Sequence, residues 1–182
     1  MDRRSFLALG AKTAVGLVLA QVTPTWAAIP SSPGDEEKTL SFYHTHTQKC
    51  LEITYAKGGK YNPAALKKIT TYLRDFRTAE EYPIDPAVLD ILWGIQQEMC
   101  CSSTYQVISG YRSPKTNRLL RRRSRGVARR SLHMKGMAID IRLTGKKTRD
   151  VRDCAIALKS GGVGYYAKSN FVHIDTGRVR TW

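Results

Sequence analysis

Two short stretches hold most of the residues able to do chemistry: "SLHMKGMAID" at 131–140 and "NFVHIDTG" at 170–177. The chain has four histidines, and one falls in each stretch. His133 and Asp140 are separated by six residues, and His173 lies 33 residues beyond Asp140. Two imidazoles and one carboxylate make suitable zinc ligands, and three protein ligands leave the fourth tetrahedral position for a water. That open position marks a catalytic rather than a structural site. Gly136 would let the backbone turn tightly between the first two ligands. Asp175 follows His173 by two residues and shares its face if the segment is a strand. By spacing alone, the same side chains also fit hydrogen-bonded or solvated positions on a strand and a loop.

The elements that must bring them together can be read from periodicity. "GMAIDIRL" is a strand by alternation and β-branching and carries Asp140. His133 falls in the turn before it, and "NFVHIDT" is the penultimate strand. If those two strands pair, the three side chains converge. "TLSFYHTHTQKCLEITYA" reads as two strands joined at a polar turn that holds His44 and His46. Pro63 suits the first turn of a helix whose Leu66, Ile69, Leu73 and Phe76 form one apolar face. A second helix starts at Asp85-Pro86 with Asp85 as N-cap, burying Val88, Leu92, Ile95 and Met99. "TYQVISGYRS" is a strand running into a turn, while "PKTNRLLRRR" and "VRDCAIALK" are helices and "GGVGYY" is a strand. Helices and strands mix without regular βαβ alternation. The expected class is α+β: a single domain with a small antiparallel sheet flanked by helices.

At 182 residues the chain can bury one sizeable core. Residues 1–27 run from Arg3-Arg4 through a mild apolar stretch to Thr25-Trp26-Ala27, the order of a cleaved secretory signal. "RRSFL" resembles the twin-arginine signal, and residues 28–38 read as a mobile linker before a domain at 39–182. Cleavage removes three positive charges and one negative, so the net charge falls from +15 to +13. A basic domain seeks polyanions, but export turns that from nucleic acid towards phospholipid and the carboxylate-rich cell wall. No internal apolar run is long enough to span a bilayer, so stable membrane insertion after cleavage is not expected. Cys50, Cys100, Cys101 and Cys154 lack the C-x-x-C spacing of a zinc site. They read as core residues with at most one or two bridges.

"SLHMKGMAID" with "VHID" resembles the S-x-H-x-x-G-x-A-x-D…H pattern of the zinc peptidases related to D-alanyl-D-alanine carboxypeptidases and the hedgehog fold. "ISGYRSPKTN" resembles the same family's arginine-bearing strand and turn, and the likeness runs from Thr39 to Trp182. The resemblance implies Zn²⁺ on His133, Asp140 and His173, and an oxyanion-stabilising role for Arg112. It implies a periplasmic endopeptidase that hydrolyses the peptide cross-links of peptidoglycan. The implied partners are peptidoglycan stem peptides and the twin-arginine export machinery, with no nucleic acid. One feature departs from the family: many relatives carry a base just before the last histidine, where this chain has Asn170 and Phe171. Asp175 is then either the base or a partner that holds the His173 ring, the second being preferred. Seven arginines lie between Arg118 and Arg130. Of these, Arg122, Arg125 and Arg130 are candidates to hold stem-peptide carboxylates, the alternative being a solvated basic loop. A carboxypeptidase that trims terminal D-alanine and a non-catalytic wall-binding module are the rival readings.

Overall fold

Alternation along β1 (Glu37–His44) turns Leu40, Phe42 and His44 inward, where each is almost fully buried. The computed structural model describes residues 36–124 and 126–182. The expected signal at 1–27 and residues 28–35 of the expected linker therefore lie outside the described residues. The linker ends earlier than expected, because Glu37 and Lys38 already pair with Lys57 and Ala56 of β2 (Cys50–Lys57).

The remaining elements are β3 (Lys60–Tyr61), α1 (Pro63–Tyr72), α2 (Pro86–Glu98), β4 (Tyr105–Ser109) and α3 (Pro114–Arg123). After a 3-10 turn at Leu132–Lys135 come β5 (Ala138–Leu143), α4 (Thr148–Leu158), β6 (Gly162–Tyr166), β7 (Phe171–Asp175) and β8 (Arg180–Thr181). Pro63, Pro86 and Pro114 each open a helix behind Asn62, Asp85 and Ser113, whose side chains accept first-turn N–H groups. Helix α1 stops at Tyr72, so Phe76, expected on its apolar face, lies beyond it.

The class is α+β, as expected, but the sheet is larger than expected and mixed. Its order is β3-β2-β1-β4-β5-β7-β6-β8. The pairs β1–β4 and β6–β8 are parallel and the other five antiparallel. Helices α1 and α2 intervene between β2 and β4, and a crossover of that length allows β4 to run parallel to β1.

Ile139 and Ile141 of β5 and Val172 and Ile174 of β7 join Leu89, Leu92, Val151 and the other apolar side chains in one core. By alternation, Asp140, His173 and Asp175 point to the opposite face. The cysteine expectation needs correcting. All four are free; Cys50 and Cys100 are exposed, and only Cys101 and Cys154 pack against the core. Cys100 sits in a turn after α2 with φ of 45°, a position that faces solvent.

Asp75, only 1% exposed, ties the segment after α1 to the start of α3. Its Oδ1 accepts from the Arg77 N–H at 2.9 Å and its Oδ2 from the Ser113 N–H at 2.9 Å. Burial works to raise its pKa, but the Thr116 hydroxyl and those N–H groups outweigh it and hold the carboxyl below its usual value of 3.8. Because the folded pKa is depressed, this stabilisation is present above the unfolded value and is lost as pH falls through the folded one. Asp75→Ala should cost roughly 2–4 kcal/mol in urea unfolding at neutral pH, since it strands buried donors. The gap from the parent should narrow as the pH is lowered below about 4.

Candidate metal centre

The register of β5 and β7 builds the centre. Asp140 is the direct antiparallel partner of His173, so the two side chains lie side by side on one face. His133 reaches them from the 3-10 turn, which ends on Gly136 at φ of +65°. A Cβ there would lie 2.0 Å from the Pro83 carbonyl oxygen, so glycine is required. His133, Asp140 and His173 are all buried, and their candidate ligand atoms all lie within 4.8 Å of one another.

Hydrogen bonds behind the two rings set which nitrogen faces the centre. His133 Nδ1 is 2.7 Å from the Gly110 carbonyl, which can only accept, so Nδ1 carries the proton and Nε2 turns a lone pair inward. His173 Nε2 donates to Asp175 Oδ2 at 3.0 Å, leaving the Nδ1 lone pair facing in. Asp140 Oδ1 lies 2.8 Å from His173 Nδ1 and 3.2 Å from His133 Nε2, and the two nitrogens are 3.2 Å apart. Three ligand atoms thus converge on one point, where either a proton on His173 Nδ1 or a metal ion can bridge to Asp140. A cation satisfies all three at once, and the donor set of two imidazoles and a carboxylate suits a first-row divalent metal.

Electrostatics agree. Burial opposes the charge on Asp140, but His133 and His173 hold its carboxyl far below the usual range. Burial drives the His133 pKa down, outweighing Asp140. Burial also presses on His173, yet Asp140 and Asp175 carry it up to about 9, so a proton competes with a metal at that ring.

Asp175 is fully buried, with both oxygens engaged. Oδ1 accepts from the Gly177 N–H at 2.9 Å and from Arg180 Nη1 at 3.0 Å, and Oδ2 accepts from Arg180 Nη2 at 2.7 Å. It lies behind His173, away from the converging lone pairs. With both oxygens accepting hydrogen bonds from His173, Arg180 and Gly177, Asp175 is placed to hold the His173 ring, the preferred of its two expected roles. Asn170 turns away too: it adopts φ of 51°, and its Oδ1 accepts from the Thr148 hydroxyl at 2.8 Å.

Arg112 stands on the other side of Asp140, with Nη2 3.3 Å from Ser109 Oγ and 3.5 Å from Asp140 Oδ2. Its Nε is buried and has no partner among the described residues. The metal face opens into a cleft of about 480 Å³, whose lining includes Arg112, Arg130, Tyr166, Arg180 and Trp182 as well as the three ligand candidates. Arg122 is exposed on α3 and does not line the cleft, and Arg125 lies outside the described residues. His44 and His46 are not in the cluster. His44 is fully buried rather than on a polar turn, so burial lowers its pKa to about 4. His46 is exposed and stacks on Phe76 with ring centroids 4.1 Å apart.

Sequence reasoning passed over Arg180, Tyr166 and Trp182. Nothing in their spacing relates them to His133. What brings them to the cleft is the parallel pairing of β8 with β6 and the bare backbone of Gly164, where a Cβ would lie 2.6 Å from the Trp182 ring.

Two imidazoles and a carboxylate clustered at a solvent-open cleft beside a guanidinium fit a metal-dependent hydrolase. The family described as peptidoglycan L,D-endopeptidase MepK matches residues 32–182, and the chain belongs to it. Its relatives include the peptidoglycan L,D-endopeptidase MepK of Escherichia coli strain K12, 40% identical over 181 residues, covering 100% of this chain and 97% of that one. The Shigella flexneri protein of the same name matches at the same identity and coverage. The probable peptidoglycan L,D-endopeptidase MepK of Haemophilus influenzae is 40% identical over 184 residues, covering 100% of this chain and 95% of its own. The chain is therefore a peptidoglycan endopeptidase of a metal-dependent peptidase family, the activity that its motifs implied.

Proposed function

We propose that this chain is a zinc endopeptidase that hydrolyses L,D cross-links of peptidoglycan in the periplasm, reached through a twin-arginine signal at residues 1–27. The observation that carries the metal reading is the convergence of two imidazole nitrogens and a carboxylate oxygen at 2.8–3.2 Å in a buried cluster. Zinc is the ion that best suits two imidazoles and one carboxylate, and when bound it would lower the pKa of a water and polarise the scissile carbonyl.

The protein's own groups account for the rest. Asp175 holds the His173 ring so that Nδ1 faces the centre, and Arg180 in turn holds both oxygens of Asp175. The Arg112 guanidinium, beside Asp140 on the cleft lining, supports a role in receiving charge that develops on the substrate oxygen. Arg130 on the cleft wall, with Arg122 and Arg125 of the same basic segment, suits the carboxylates of the stem peptides. These contacts should weaken as salt rises.

Digesting purified sacculi with parent protein, with and without a chelator, tests the reading when the fragments are separated by mass. The expected result is loss of the direct diaminopimelate–diaminopimelate link, abolished by chelation and restored by zinc. Release of D-alanine alone would make the protein a carboxypeptidase, and binding without cleavage would make it a wall-binding module.

Asp175→Asn should weaken zinc affinity by about 10–100-fold while leaving the fold intact. Excess zinc should then restore most of the rate. A zinc titration of the purified variant checks this: a rate defect that persists at saturating zinc would return Asp175 to the role of base.

A further inference from the structure

Tyr166 is held in place at two points. Its ring stacks on Phe171, with centroids 4.5 Å apart and planes 13° apart, and its hydroxyl oxygen accepts from the Trp182 indole N–H at 3.0 Å. An indole nitrogen can only donate, so the phenol's own hydrogen is not used in that bond. Among the described residues that hydrogen has no acceptor. Arg112, another pure donor, lines the same cleft, as do Arg130 and Arg180. Tyr166 is half-buried, and it lines with Arg112 the cleft that holds His133, Asp140 and His173. The unspent phenol hydrogen is therefore open to a ligand in that cleft, and the partner it calls for is an acceptor.

Trp182 connects this hydroxyl to the metal side of the cleft. Its ring lies 5.3 Å from that of His173, and Arg180, which holds Asp175, covers it at 4.8 Å. Gly164, the strand partner of His173, leaves the space that the indole fills. The hydroxyl is thus referenced to the same frame as the His173 imidazole.

We propose that Tyr166 is a catalytic residue: its hydroxyl donates a hydrogen bond to the oxyanion of the tetrahedral intermediate, opposite Arg112, with Trp182 as the positioning residue. The inference rests on the endopeptidase reading above. No proton is transferred. The phenol contributes a donor aimed where negative charge develops, which accelerates the reaction only if the bond is stronger in the transition state than to the planar carbonyl.

Three variants and two probes test it. Tyr166→Phe removes one oxygen and keeps the stack on Phe171. Turnover of a purified cross-linked muropeptide should fall by about 10²-fold, with KM little changed and bound zinc unchanged. Calorimetric affinity for a phosphinate isostere of the link, a tetrahedral anion, should fall with it, whereas affinity for the reduced-amide analogue, which lacks the oxygen, should not. Trp182→Phe keeps a ring and loses the N–H, and should cost about tenfold. The double variant should be no slower than Tyr166→Phe alone, because the indole acts through the hydroxyl; a merely structural tryptophan would give additive losses. Equal phosphinate affinity in Tyr166→Phe and parent, or a rise in KM with kcat unchanged, would overturn the assignment. If the parent left cross-links intact, the peptidoglycan reading would fall, and the phosphinate comparison would still decide the role of Tyr166.

Discussion

Asp140→Ala is expected to bring hydrolysis of cross-linked peptidoglycan to the uncatalysed background and to strip the metal from the purified protein. Asp140 supplies the only anionic ligand atom of the cluster, 2.8 Å from His173 Nδ1 and 3.2 Å from His133 Nε2. Without it, two imidazole lone pairs face each other at 3.2 Å with no carboxylate to offset a dication. His133→Ala and His173→Ala should match it, because an open three-ligand site has no spare donor. The next carboxylate, Asp175, is committed to His173 and Arg180. Metal content by mass spectrometry, measured beside sacculus digestion, checks all three. Near-stoichiometric zinc with full activity in any variant would remove that residue from the site. Asp140→Asn controls for folding, since it keeps the shape and loses the charge.

Arg112→Ala should lower turnover by roughly 10²–10³ while the metal stays bound, the scale for losing one oxyanion donor. Among the described residues the guanidinium bonds Ser109 and Asp140 through Nη2 alone, and it lines the cleft beside the ligand candidates. Arg112→Lys should recover only part of the rate, because an ammonium cannot copy the planar fork. Stopped assays of kcat at saturating substrate, with zinc content measured in parallel, separate this from a loss of metal. Unchanged turnover with a lowered melting temperature would make Arg112 a structural partner of Asp140 and nothing more.

Much of the local structure was legible because its causes are local. Asp85-Pro86 announced α2, and the run from Pro114 to Arg123 announced α3, since capping and proline geometry act within one turn. Alternation in "AIDIRL" and "FVHID" gave the two strands that matter and which residues share a face. Phe76 misled, because an apolar period continued past the point where the helix stops at Tyr72. His44 misled for the opposite reason: a polar neighbourhood in sequence concealed a side chain that alternation turns into the core.

By itself the sequence determined the longer elements, the three ligand candidates and the arginine beside them, because residue type and short-range spacing limit what those side chains can do. Only the tertiary structure decided how they act. The β5–β7 register sets Asp140 against His173, and the Gly110 carbonyl and Asp175 select which imidazole nitrogen faces inward. It also set Asp175 against His173 and Arg180, and it carried Arg180, Trp182 and Tyr166 to one cleft through the β6–β8 pairing. Those outcomes depend on hydrogen bonds between segments distant along the chain. Such pairings form only when the whole core closes over Ile139, Ile141, Val172 and Ile174, so no window of local sequence encodes them.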